Sequence, residues 1–162
     1  MYDSMRRGII PHGIYVTDEN IDVLSGFDFV FLCVDKGAAR KLIAVYLRNK
    51  GIPFIDVGME LSLAPEEDCI LGTCRVTLCT SEKSEHFDRR AYQGHDDGDD
   101  LYGKNIQVAD INALNATLAV IKWKQYCGYY QDMVKAHHTT FSINSHALTR
   151  DEMETDNEES ES

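Results

Sequence analysis

Apolar residues along this 162-residue chain fall into runs and stripes of different period, and the periods set the elements. Residues 29–34 are apolar without alternation, the pattern of a strand covered on both faces, as in a parallel sheet. After Asp35 the spacing changes. Ala39, Leu42, Ile43, Tyr46 and Leu47 recur at helical intervals and predict a helix over 36–50, stopped by Gly51 and the Pro53 that follows. Residues 53–57 are a second short apolar strand. Strand, helix and strand make a βαβ unit, which pairs its strands in parallel.

Weaker patterns flank this unit. A short polar helix over 2–7 closes at Gly8, a brief strand covers 13–17, and Thr17 or Asp18 caps one or two helical turns over 19–25. Residues 69–80 have strand composition, with the alternation broken around Gly72. Residues 80–104 form a long polar loop carrying His86, Asp88, Arg89, Arg90, His95 and an acidic knot at 96–100. Asn105 starts a long helix reaching Cys127, with Ile111, Leu114, Leu118 and Ile121 on one stripe. A late strand covers 139–143, and no internal repeat is present. These patterns predict one α/β domain over residues 1–145 and an acidic disordered tail over 146–162.

The net charge of −11 supports that division. Residues 151–162 hold seven acids and no base, whereas the remaining 150 hold 20 acids against 16 bases. A body so balanced has no electrostatic footprint for nucleic acid. No apolar run is long enough to cross a membrane. No secretory leader is visible, so the expected compartment is the cytoplasm and the five cysteines are expected as reduced thiols, mostly packed. Without a C-x-x-C pair no zinc is expected. Cys79, nearest the long loop, is the thiol with most claim to accessibility, although a packed thiol fits its apolar segment better.

Asp35 has the best claim to chemistry. It stands where a buried parallel strand ends and a helix begins, the place where open α/β sheets bind ligands, and it could hold Mg²⁺ on a nucleotide's phosphates. It could equally cap the helix. Arg40, five residues on, could face a phosphate or simply pair at the surface. His86, Asp88 and His95 could supply acid–base chemistry, but nothing in the sequence gathers them. The aspartates at 96–100 lack the ordered spacing of a calcium loop. No glycine falls in a G-x-G arrangement and no serine in a G-x-S-x-G elbow, so these residues do not encode a complete nucleotide site.

Read in order, several segments resemble one family, the ThiF/ubiquitin-activating-enzyme-like adenylyltransferases. Ile10, Pro11 and His12 resemble its I-N-P-h segment. Residues 27–40, FDFVFLCVDKGAAR, are similar to its D-x-V-x-x-C-x-D-N-x-x-x-R signature, with Lys36 in place of the asparagine. Residues 52–58 look like its g-x-P-l-i-x-x-G strand, 72–77 like its G-x-x-r-v edge, and 105–124 like the closing helix of a bacterial subgroup without zinc. The resemblance spans roughly residues 1–145. It implies Mg²⁺- and ATP-dependent adenylation of the C-terminal carboxylate of a ubiquitin-like or sulfur-carrier protein. Asp35 then matches the carboxylate that positions Mg·ATP, and Arg40 the motif arginine.

The family's glycine loop and ribose-binding acid come before the segments matched here. The resemblance therefore implies the C-terminal half of an adenylation domain, a partial Rossmann-like sheet, doubly wound and mainly parallel. Strand 28–34 would then lack a neighbour on one edge, and the chain would need an N-terminal half or a homodimer partner. Two other readings stay open: a non-catalytic module binding a ubiquitin-like partner, and an unrelated small α/β nucleotide-binding protein.

Overall fold

The computed structural model describes residues 8–64, 68–90 and 108–151. A 3-10 helix at Ile21–Gly26 leads into strand β1 (Val30–Leu32), helix α1 (Gly37–Lys50) and strand β2 (Phe54–Leu63). Then come β3 (Ile70–Cys79), the one-turn α2 (Phe87–Arg90), α3 (Ala109–Tyr126), β4 (His138–Ser142) and β5 (Ala147–Arg150). The five strands lie side by side in chain order.

The βαβ unit forms as its periodicity predicts, and β1 pairs with β2 in parallel. Every other pairing is antiparallel. The α/β class therefore holds, but the mainly parallel, doubly wound sheet does not: this sheet is open and mixed. The connections explain all the pairings but β3–β4, which is antiparallel across the long connection carrying α2 and α3. A parallel pair needs a long crossover, which α1 supplies, whereas β2–β3 and β4–β5 are joined by links too short for anything but antiparallel return. β2 also runs to Leu63 rather than ending at residue 57, because its ten-pair ladder with β3 carries the strand outward.

Helices cover both faces of the sheet. On one, α1 contributes Ile43, Ala44 and Leu47 to a core with Leu32, Phe54, Cys79 and Phe87. On the other, Ala119 of α3, with Leu118 and Trp123, packs on Ile55, Val76 and Leu78. Phe54 and Ile55 are neighbours facing opposite ways, as strand alternation requires. The buried positions of α3 are Asn115, Ala119 and Lys122, rotated from the leucine–isoleucine stripe; Ile121 is exposed.

Other expectations shift. No strand forms over 13–17, where Ile14 and Tyr15 are exposed. Instead Asn20 accepts from the Thr17 N–H and donates to the Tyr15 carbonyl, turning the chain into the 3-10 helix. β1 is three residues long and sits at the sheet edge, with Phe31 exposed on a strand expected to be covered on both faces. At the other end β5 occupies residues expected in the tail, so ordered chain continues to Asp151; residues 152–162 lie outside the described residues. The expected helix over 2–7, His95 and the acidic knot also lie outside them. Among the described residues no helix is long and apolar enough to cross a membrane.

Candidate functional site

The site is built where β1 ends and α1 begins. Helix α1 has Lys36 at its N-cap with no side-chain cap bond and no acid in its first turn, so its leading N–H groups keep their partial positive charge. Asp35 is therefore not the cap. It stands one residue earlier, exposed, and its carboxylate makes no hydrogen bond or ion pair among the described residues.

Arg40 is not a surface cation. Its side chain turns back under the β1–α1 connection, where Nη2 donates to the Val34 carbonyl at 2.5 Å and Nε lies 3.0 Å from Asp56 Oδ1. The second approach is an ion pair rather than a directed hydrogen bond. Asp56 has no exposure, and its other oxygen accepts from Arg75 at 2.5 Å. Two guanidiniums thus share one carboxylate. Desolvation lowers the Arg40 pKa, and the charge of Asp56 opposes that effect; Asp35 acts in the same sense, which places its field on this cluster. Partial desolvation by its neighbours likewise pushes the Cys33 thiol up, reinforced by Asp56, although the residue itself is exposed.

Sequence reading found Asp35 and Arg40 but missed Asp56 and Arg75. The signal was present: two opposite charges at inward positions of neighbouring strands otherwise made of apolar residues. Gly58 belongs to the same arrangement. It sits opposite Arg75, and a Cβ there would lie 2.5 Å from the guanidinium carbon. On the far face Asn115 donates to the Gly58 carbonyl at 2.9 Å, tying α3 to the same point of β2.

The remaining candidates scatter. Asp88 pairs with Arg48, and His86 donates to the backbone of β3, so the two do not act together. Cys33, Cys69 and Cys127 are exposed and Cys74 and Cys79 buried. The expectation of mostly packed thiols fails for three of the five. Cys79 is shut in, 1% exposed, with burial pushing its thiol up to about 12. Among the described residues no group of three or more His, Cys, Asp or Glu is placed to hold a metal by itself.

No family model and no curated protein matches the sequence. Among solved structures the chain is similar to the selenomethionine crystal structure of PaaA, with TM-score 0.47 and 14% identity, over 83% of this chain and 45% of that one. The chain thus spans less than half the length of PaaA. A match at that level leaves function to be argued from the residues.

Proposed function

We propose that this chain carries the metal- and phosphate-binding side of a ThiF-like adenylation site, which activates the C-terminal carboxylate of a ubiquitin-like or sulfur-carrier protein. One observation carries the reading. An exposed carboxylate, Asp35, without a hydrogen bond or ion pair among the described residues, stands at the carboxyl end of a parallel strand beside a helix N-terminus with no side-chain cap and the Arg40–Asp56–Arg75 cluster.

The residues fit Mg·ATP. Magnesium keeps most of its waters and takes one or two carboxylates besides the phosphates, so a single free Asp35 suffices. The N-terminus of α1 favours phosphate. When bound, Mg·ATP supplies the reactive α-phosphorus and the pyrophosphate leaving group. The chain's own residues hold the geometry: Asp35 orients the metal, and Arg40 fixes the turn that bears Asp35 by gripping the Val34 carbonyl. The glycine-loop strand that such a site needs would come from a separate segment or a second copy, pairing along the edge of β1 that no described strand occupies.

Pyrophosphate exchange tests this. The chain alone should show none, because these residues contain no glycine loop to hold the nucleotide. Supplying a glycine-loop segment should produce exchange that Asp35→Asn abolishes while the melting temperature stays put. Robust exchange by the chain alone, or an active Asp35→Asn pair, sinks the proposal.

A second reading, a non-catalytic interaction module, draws on one feature. Phe31, Val120, Ile121 and Tyr126 expose apolar surface, and Phe31 lies on edge strand β1 with its ring 6.1 Å from that of Trp123. A partner that binds there without any exchange under the conditions above would favour it.

A further inference from the structure

Three histidines meet around β3, and each is held as a neutral hydrogen-bonding group. The Leu78 carbonyl receives two of them, His86 Nε2 at 2.9 Å and His137 Nδ1 at 3.3 Å. A carbonyl only accepts, so both rings donate to it, which assigns the proton to Nε2 of His86 and Nδ1 of His137. The rings meet edge-on with centroids 5.5 Å apart. The other nitrogen of His86, Nδ1, is buried without a hydrogen-bond partner. His138, on the opposite face, sits between two hydroxyls, Thr77 at 2.9 Å and Thr140 at 3.0 Å.

We propose that the His86–His137 pair is an acid-sensitive latch: neutral, it fastens α2 to β3, and protonated, it lets α2 go. The geometry gives the reason. His86 immediately precedes α2, and its carbonyl accepts the N–H groups of Arg89 and Arg90 that close the turn. A helix of one turn has no stability of its own, so tertiary fastenings hold it. Among the described residues they include the His86 ring, the Phe87 ring packed edge-on against Phe54 at 5.5 Å, and the pairs Arg48–Asp88 and Arg90–Asp151. A second proton on His86 would land on Nδ1, where no acceptor waits.

The surroundings do not compensate such a charge. Lys83 faces both rings. Lys122 of α3 and Asp132, paired at 2.7 Å, both face His137, Lys122 opposing its charge and Asp132 favouring it, while no carboxylate among the described residues acts on His86. His138 adds a third ring near His86, itself surrounded by Asp151, Arg90, Arg75 and Asp56. Desolvation accordingly depresses all three histidines, His86 to about 4. A histidine lowered in the folded state contributes stability that is present above its ordinary value of 6.5 and is lost as the pH falls from there towards 4.

Release of α2 withdraws Phe87 from the core it shares with Cys79, and Cys79 becomes the reporter. The full chain is labelled with an aromatic disulfide that remains reactive in acid, and each cysteine is read by peptide mass spectrometry. Exposed Cys127 serves as the internal reference, and Cys74, buried under the opposite face, reports global unfolding. From pH 7 to pH 5 the Cys79 rate relative to Cys127 should rise about twentyfold, the linkage expected for one histidine moved from 6.5 to about 4. Cys74 should stay protected. His86→Gln combined with His137→Gln keeps amide donors at both places and should flatten the rise. A flat wild-type ratio overturns the latch without reference to any variant. Equal exposure of Cys74 and Cys79, or an unchanged rise in the double variant, overturns it too.

Discussion

Arg75 reaches Asp56 on the diagonal of the β2–β3 ladder, over a glycine that gives it room. The residue directly opposite Arg75 is Gly58, and Asp56 lies opposite Thr77, two positions along. Any side chain at 58 would occupy the path of the guanidinium. Together with Arg40 from α1, the pair joins β1–α1, β2 and β3 through one carboxylate.

Replacing Asp56 by Ala should therefore cost about 3–5 kcal/mol, the range for removing one member of a buried ion pair, because two buried guanidiniums would be left facing each other. Urea unfolding measures it. A loss under about 1 kcal/mol would mean that water reaches the cluster.

Gly58→Ala tests the same contact from its other side. The added methyl displaces the Arg75 guanidinium, which is flexible enough to move but only by leaving Asp56. A destabilisation of about 1–3 kcal/mol is expected, and in Arg75→Ala the same substitution should become nearly neutral. Additive losses in that cycle would show the clash lies elsewhere.

Gly72 sits in the β2–β3 ladder at φ +148°, opposite Leu61, and a Cβ there would come 2.1 Å from the Glu60 carbonyl oxygen. That obstacle is backbone and cannot swing away. Gly72→Ala should cost about 3 kcal/mol from strain and crowding combined, read by thermal melting.

Asp132 should impose a pH dependence of the opposite origin to the histidines. Burial raises its carboxyl, but the Lys122 hydrogen bond at 2.7 Å and the Lys135 N–H at 2.9 Å outweigh that and hold it below its ordinary 3.8. A lowered carboxylate contributes stability that is present above 3.8 and is lost as pH falls below it. Asp132→Asn should cost about 1–3 kcal/mol at pH 7. The gap to wild type, measured in urea at several pH values, should close only in acid; a gap constant down to pH 3 would refute the pairing.

Thiol labelling at pH 8 should divide the cysteines by burial. Cys33, Cys69 and Cys127 should react in the folded chain, while Cys74 and Cys79 should not until it unfolds. Fast reaction at Cys79 at that pH would contradict its enclosed position and its raised thiol.

Local period by itself determined the central elements, though not the absence of a strand at 13–17 or the presence of β5. The unbroken run ending at Asp35, the helical spacing from Ala39 to Leu47 and the stop at Gly51 specified β1–α1–β2 because each depends only on neighbouring residues. The same local logic located β3, α3 and β4 to within a few residues. Partners were another matter. Whether 29–34 is central or marginal depends on what lies beside it; β2 pairs along one side and no described strand along the other, so β1 is short and Phe31 exposed. Strand direction followed tertiary pairing rather than strand composition. Short links set β2–β3 and β4–β5 antiparallel, and β4 returns antiparallel to β3 even across the connection that carries α2 and α3. A sheet expected to be mainly parallel therefore has a single parallel pair. The site divided in the same way. Asp35 was legible because its claim rests on position in the chain, at a strand end before a helix. Asp56, Arg75 and the histidines around Leu78 acquire their roles only across strands, where residues far apart in sequence share one buried carboxylate or one carbonyl. Those contacts depend on register and on which face each residue shows, and register is fixed by tertiary packing.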